Sequence, residues 1–268
     1  MVYNSIEIRR KDSEYMSKLN QLLLEWKAGD VHGLRWLSER AIGQRLAYSY
    51  FEDGYLEKLG PGVFKRKGDD VNPFGLVRFL QGELNLKLHV SARSALELHG
   101  HSHYVPLGKK EVLFLTSFEC KSIPKWIIDL NKNFEMIFKK SSLLAEERFL
   151  TDLEKDGFPV RVSCRELAIL ELIDTLDLSG GLEIAENYTE SLRTLRYDVL
   201  QKVLEQCKSV KVKRVFLFLA EKTNLPSFNK LKLKKIDVGS GKRVIVKDGE
   251  FNKRYQITVD RSYGENPF

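Results

Sequence analysis

Cysteine is scarce in this chain, and its scarcity excludes two classes of protein. Cys120, Cys164 and Cys207 are odd in number and far apart along 268 residues. They therefore supply neither a disulfide framework nor a Cys-x-x-Cys half-site for zinc, and reduced thiols are expected. Long apolar runs are missing as well. The longest, Val215 to Ala220, falls far short of the roughly 20 residues that span a bilayer. Met1 to Glu7 has no apolar signal core, so a cytoplasmic location without a membrane partner is expected. There is no internal repeat, low-complexity tract or long linker. A hydrophobic share of 43% with 30% charged residues is that of a globular chain, long enough for two domains.

Catalytic motifs are missing too. No Gly-x-Ser-x-Gly elbow or His-Glu-x-x-His helix occurs. Ser240 followed by Asp248-Gly249-Glu250 has the outline of a nucleotidyltransferase site, but the gap is too short and glycine stands where a strand residue should align the carboxylates, so a hairpin loop is expected. Glu25-Trp26-Lys27 has a nuclease-like Glu-x-Lys shape inside a helix, with no acidic partner to share a metal. In His99-Gly100-His101-Ser102-His103 the alternation puts three imidazoles on one side of an extended segment. No cysteine or carboxylate close in sequence completes a site, and a polar turn is expected. No catalytic residue, metal or cofactor is assigned. Gly239-Ser240-Gly241-Lys242-Arg243 departs from a phosphate-binding loop, with Ile236 in place of its first glycine and Arg243 in place of Ser/Thr. It is either a glycine turn whose amides hold an isolated anion or a plain entry to a strand.

What the chain does carry is a compact pattern over Gly33 to Lys67. Leu34, Leu37 and Ala41 share one face of a short helix, and Ile42-Gly43 breaks it. A second helix from Gln44 buries Leu46 and Tyr50 and closes at Asp53-Gly54. Tyr55 to Leu59 and Val63 to Arg66 are extended runs about Gly60-Pro61-Gly62. Two helices, a strand, a tight turn and a strand make a winged helix-turn-helix, in which the second helix enters the major groove. Its outward residues are Gln44, Arg45, Tyr48 and Ser49, side chains able to reach base edges and phosphates, and the wing adds Lys58, Lys65, Arg66 and Lys67. A helical protein-interaction domain with a hairpin is the alternative.

Before this pattern, residues 1 to 13 are expected as an arm and Asp12 to Lys27 as a core-forming helix, with Val31 adding a short strand. After it, Pro73 opens a helix to about Asn85. Leu86 to Val90 alternates as a strand, Ser91 to His99 turns helical, and Glu111 to Ser117 and Phe134 to Lys140 are strand candidates. Ser163-Cys164-Arg165-Glu166 is a capping box opening a central helix to about Leu176. Leu192 to Leu204 and Val212 to Leu219 are amphipathic helices, and Lys242 to Lys247 pairs with Arg254 to Val259 through Asp248-Gly249. The expected fold is α+β: a winged domain over residues 12–70, then a larger mixed α/β domain over 71–268.

Charge is unevenly placed. Between Lys208 and Lys247 twelve basic residues face two acidic ones, Glu221 and Asp237, so a net +7 chain has about three net negative charges elsewhere. A basic face implies a polyanionic partner, either nucleic acid or an acidic protein surface; a solvated lysine-rich face is the alternative.

The succession of pieces resembles the AbiEi family of antitoxins from type IV toxin-antitoxin systems. The likeness is carried by Leu34 to Leu37 with Gly43, Gly54-Tyr55-Leu56-Glu57 leading to Gly62-Val63-Phe64-Lys65-Arg66, Ser94 to Gly100 followed by Ser102-His103-Tyr104, Pro124-Lys125-Trp126, Ser163 with Glu166, Lys211-Val212-Lys213-Arg214 and Gly239 to Arg243, in order over roughly residues 15 to 260. Ser91-Ala92 in place of a glycine-rich helix entry and Phe228 in place of tryptophan depart from the family's pattern. The resemblance implies an N-terminal winged domain that represses its own operon at promoter inverted repeats. It also implies a C-terminal domain that counteracts a nucleotidyltransferase toxin, with or without a stable complex. Carried over, the recognition helix is Gln44, Arg45, Tyr48 and Ser49, and the basic face is Lys211, Lys213, Arg214, Lys242 and Arg243. An RNA- or protein-binding factor using that face, with the winged unit as scaffold, is the other hypothesis.

Overall fold

The computed structural model describes residues 2–101, 110–130, 134–144 and 146–263, with residues 2–13 described by their backbone alone. The protein is mixed α+β and divides into two compact units. One comprises Met1–Leu86, Pro124–Lys132 and Asp156–Pro159; the larger comprises Lys87–Ile123, Asn133–Lys155 and Val160–Phe268.

The smaller unit runs α1 (Val2–Glu25), β1 (His32–Gly33), α2 (Leu34–Ser38), α3 (Gln44–Glu52), β2 (Leu56–Gly60), β3 (Val63–Arg66) and α4 (Pro73–Gly82). Helix α1 is continuous from Val2, which corrects both the expected arm and the helix start at Asp12; no proline or glycine interrupts the stretch. Leu19, Leu22 and Trp26 of this segment pack with Leu37, Ile42, Ala47, Tyr50, Leu56 and Phe64 into one apolar core. Two positions depart from the spacing argument. Helix α2 stops at Ser38 and Ala41 takes a left-handed φ of 58°, so Ala41 is exposed and Ile42 enters the core instead. Leu46 is half-buried at the core's edge, and Ala47 holds the interior position beside Tyr50. The sheet has the order β1-β3-β2, antiparallel throughout, with Glu57 opposite Lys65, and Gly62 supplies the turn at φ 67°. Asn72 caps α4 by accepting from the Phe74 amide at 2.8 Å, and the helix ends at Gly82, before Asn85.

The larger unit contains β4 (Leu88–Val90), α5 (Ala92–Leu98), β5 (Glu111–Ser117), β6 (Phe134–Lys140), β7 (Leu150–Lys155), β8 (Phe158–Ser163), α7 (Arg165–Thr175), α8 (Leu178–Ser191), α9 (Tyr197–Gln206), α10 (Val210–Lys222), β9 (Arg243–Val244), β10 (Glu250–Asn252) and β11 (Ile257–Val259); α6 (Trp126–Asp129) precedes β6 in the chain and falls in the smaller unit. Five strands form a mixed sheet in the order β6-β5-β4-β8-β7, with β4 antiparallel to β5 and β5 parallel to β6. The β7–β8 hairpin turns at Asp156 and Gly157, both with positive φ as a tight two-residue turn requires; this turn and the first two residues of β8 are counted with the smaller unit.

Helix α7 is buried from Glu166 to Ile173, as an apolar run on most sides demands. Its expected capping box does not form. Cys164, not Ser163, is the N-cap, because the Ser163 hydroxyl donates instead to Glu171 Oε2 at 2.7 Å. Glu171 also accepts from His89 Nε2 at 2.7 Å and from the Ala92 amide at 3.2 Å, forming a wholly buried polar network. The expected helix from Leu192 is corrected: α8 ends at Ser191 and α9 begins only at Tyr197. The C-terminal strand pair is corrected too. The antiparallel partners are β10 and β11, whereas β9 is short and runs parallel to β11.

Candidate nucleic-acid interface

Helix α3 starts on Gly43, which has extended backbone and no side chain to cap it. Gln44 and Arg45 therefore stand exposed at an amino end whose first N–H groups have no helical acceptors. Among the described residues neither side chain has a hydrogen-bond or ion-pair partner. The other two outward candidates are committed further. Tyr48 is half-buried with its ring edge-on to Phe64 at 5.6 Å, and the Ser49 hydroxyl leans on Asp53 at 3.5 Å. Asp53 also accepts from the Tyr15 hydroxyl, whose pKa burial and that carboxylate push up to about 12.

The wing divides in the same way. Lys58 is exposed, its ammonium lying 5.3 Å over the Tyr48 ring. Lys65 is folded inward onto Glu57 at 2.7 Å and the Asp69 carbonyl at 2.5 Å. Arg66 grips Asp69 at 2.9 Å and donates to the Leu23 carbonyl at 3.2 Å, tying the wing's base to α1. Lys67 is largely exposed and 3.3 Å from Glu57. The Lys65 hydrogen bond, helped by the Gly68 amide and Lys67, holds the Glu57 carboxyl down at about 2. Lys65 and Arg66, expected as free cations, are thus internal fasteners, while Gln44, Arg45 and Lys58 remain available.

In the larger unit the named basic residues separate by burial. Lys211, Lys242 and Arg243 are exposed, but Lys213 and Arg214 are only 3% and 2% exposed. Arg214 donates to four carbonyls: Val238 at 2.8 Å, Gly239 at 3.1 Å, Gly241 at 2.6 Å and Gln256 at 3.2 Å. Gly239 and Gly241 reach that geometry at positive φ, and the Gly239 amide is taken by Asp237 at 2.8 Å. The loop therefore presents carbonyls to an internal guanidinium, and the anion-cradle alternative is set aside for it. Exposed cations still abound in the same stretch of sequence, including Lys208, Lys230, Lys232, Lys234, Lys235 and Lys247. His99 Nε2 donates to the Ser163 carbonyl at 2.9 Å and His101 Nδ1 lies 3.4 Å from the Ser191 hydroxyl; His103 lies outside the described residues.

These features define a mixed α+β chain with a small N-terminal unit and a larger basic one. Family models place it. The model described as the N-terminal domain of the AbiEi antitoxin transcriptional regulator matches residues 15–107, and that described as the AbiEi antitoxin transcriptional regulator of type IV toxin-antitoxin systems matches residues 110–260. The chain belongs to the AbiEi antitoxin family. Its fold is similar to that of the RV2827C protein from Mycobacterium tuberculosis, with a TM-score of 0.61 at 13% identity over 94% of this chain and 95% of that one. No curated protein matches the sequence. No helix among the described residues is long and apolar enough to cross a membrane.

Proposed function

We propose that the smaller unit is a winged helix-turn-helix that binds inverted repeats in the promoter of its own operon and represses it, in the cytoplasm. The observation that carries this reading is the pair Gln44 and Arg45, exposed at the uncapped amino end of α3 and, like the exposed Lys58, without a hydrogen-bond or ion-pair partner among the described residues. Side chains of these types pair bidentately with adenine and guanine edges, and free helix-terminal amides favour a phosphate. Lys65 and Arg66 serve the interface indirectly, by fixing the wing that presents Lys58. The test is binding of the chain to its upstream DNA against scrambled DNA over a salt series. Specific binding should weaken on Arg45→Ala, and its affinity should fall linearly on a log–log plot against salt. Equal binding to both fragments, unchanged in the variant, would sink the reading.

The second half of the proposal is antitoxin activity of the larger unit against a nucleotidyltransferase toxin. Its support is the set of exposed cations on the 208–247 stretch. Reversing Lys232, Lys234 and Lys235 to glutamate should abolish rescue of cells expressing the toxin while leaving promoter binding intact. If rescue survives, that face is only a solvated surface. A role in RNA or protein binding through the same face, without promoter recognition, is the reading that remains if Arg45→Ala is silent and the triple reversal is not.

A further inference from the structure

A cavity of about 480 Å³ within the larger unit is walled by Arg148, Arg165, Arg196 and Lys202, and no carboxylate is among the residues that line it. Two of these charges are answered from outside the cavity: Arg196 by Glu166 at 2.9 Å, and Arg148 by Glu146. Two are not. Arg165 finds only the Thr194 hydroxyl, at 3.0 Å, and Lys202 has no hydrogen-bond or ion-pair partner among the described residues. Gathering cations around one concavity is repulsive unless an anion answers them.

The remaining wall is uncharged. Burial pushes the Cys164 thiol up to about 12, so it stays protonated, and burial likewise lowers the His99 pKa. With its Nε2–H given to the Ser163 carbonyl, neutral His99 keeps Nδ1 as an acceptor. Phe149, Leu150 and Val199 give the cavity an apolar side. The amino end of α7 opens at Cys164 and Arg165 without a side-chain cap, and its first-turn carboxylate, Glu166, is turned away from the cavity lining and committed to Arg196. The volume falls within the roughly 300–1,000 Å³ of small-molecule sites.

We propose that this cavity binds a phosphorylated small molecule of nucleotide size, with Arg165, Lys202 and Arg148 on the phosphate and the Phe149 side against the organic body. Guanidinium forks suit phosphate oxygens in pairs, and Lys202 adds a mobile point charge. The site is independent of the promoter-binding reading, since it needs no DNA.

The experiment is titration calorimetry of the full chain with ADP, UDP, pyrophosphate and adenosine, repeated on Lys202→Glu, Arg165→Gln and a surface control, Lys253→Glu. The unfolding midpoint of each variant is checked alongside. Expected are saturable binding of a nucleoside diphosphate, weaker binding of pyrophosphate, none of adenosine, and a loss of about tenfold or more in the two cavity variants only. The proposal is overturned if neither diphosphate saturates, if Lys253→Glu weakens binding as much as Lys202→Glu, or if adenosine binds as well as ADP. Pyrophosphate binding as tightly as ADP would equally overturn it, by reducing the site to one for a bare anion.

Discussion

The guanidinium of Arg214 lies 2.6 Å from the carbonyl of Gly241, at a position where the arginine is 2% exposed. A residue in the most basic stretch of the chain is therefore spent on the backbone, and its removal should be felt as stability. Arg214→Ala leaves the carbonyls of Val238, Gly239, Gly241 and Gln256 without this donor, with an expected cost of about 2–4 kcal/mol. Lys234→Glu, at an exposed site nearby, should stay within about 0.5 kcal/mol. Urea unfolding of the two variants checks the contrast, and a neutral Arg214→Ala would refute the anchoring role.

Arg45 and Arg66 should separate function from fold. Arg45 has no hydrogen-bond or ion-pair partner among the described residues, so Arg45→Ala is expected to leave the unfolding midpoint unchanged and to weaken specific DNA binding by about 1–3 kcal/mol. Arg66 holds Asp69 and the Leu23 carbonyl, so Arg66→Ala should lower stability by about 1–3 kcal/mol. Parallel unfolding and DNA-binding curves decide it; the reverse assignment would contradict the geometry.

Glu57 gives a pH dependence with a definite sign. Its folded pKa of about 2 lies below the ordinary 4.5, chiefly through Lys65. The stabilisation is complete above pH 4.5 and is lost as pH falls from there toward 2. In Lys65→Met the Glu57 titration, followed by NMR, should move up toward the ordinary value and part of the acid sensitivity should vanish. An unmoved titration would mean that the Gly68 amide and Lys67 hold the carboxylate without Lys65.

The buried acceptor Glu171 should be among the most sensitive positions in the larger unit. Glu171→Ala strands His89 Nε2 and the Ala92 amide away from water and leaves the Ser163 hydroxyl only the Val90 carbonyl, 3.3 Å away, at an expected cost of about 3–5 kcal/mol. Glu171→Gln keeps an acceptor and should cost less. A chain unfolding at the same midpoint with alanine would rule out the network as a structural tie.

Much of this was legible from local pattern. The periodicity of Leu19, Leu22 and Trp26, the helix stop at Gly54 and the turn at Gly62 act through neighbours in sequence, and each appears as expected. The strands Glu111–Ser117 and Phe134–Lys140, short apolar runs bounded by polar residues, likewise fall where expected. Strands β7 and β8 were not anticipated; their charged outward residues dilute the apolar signal. Helix α8 went unread because Gly180 and Gly181 lie inside it, against helix propensity, and tertiary packing of Leu182 and Ala185 overrides them.

The sequence by itself determined the α+β class, the helix-helix-hairpin order of the N-terminal pattern, the placement of Gln44, Arg45 and Lys58 on its outside, and the concentration of lysine in the 208–247 stretch. Each of these depends on spacing or composition over a few residues. Only the tertiary structure decided which charges are free. Lys65, Arg66 and Arg214 are the same residue types as Arg45 and Lys58, and their difference lies in partners the fold brings up: Glu57 across the hairpin for Lys65, the Leu23 carbonyl beside the nearby Asp69 for Arg66, and a turn 24 to 42 residues downstream for Arg214. The cavity of Arg148, Arg165, Arg196 and Lys202 was invisible for the same reason, since a charge's role is set by the field of its neighbours in space, and those neighbours come from three separate stretches of chain.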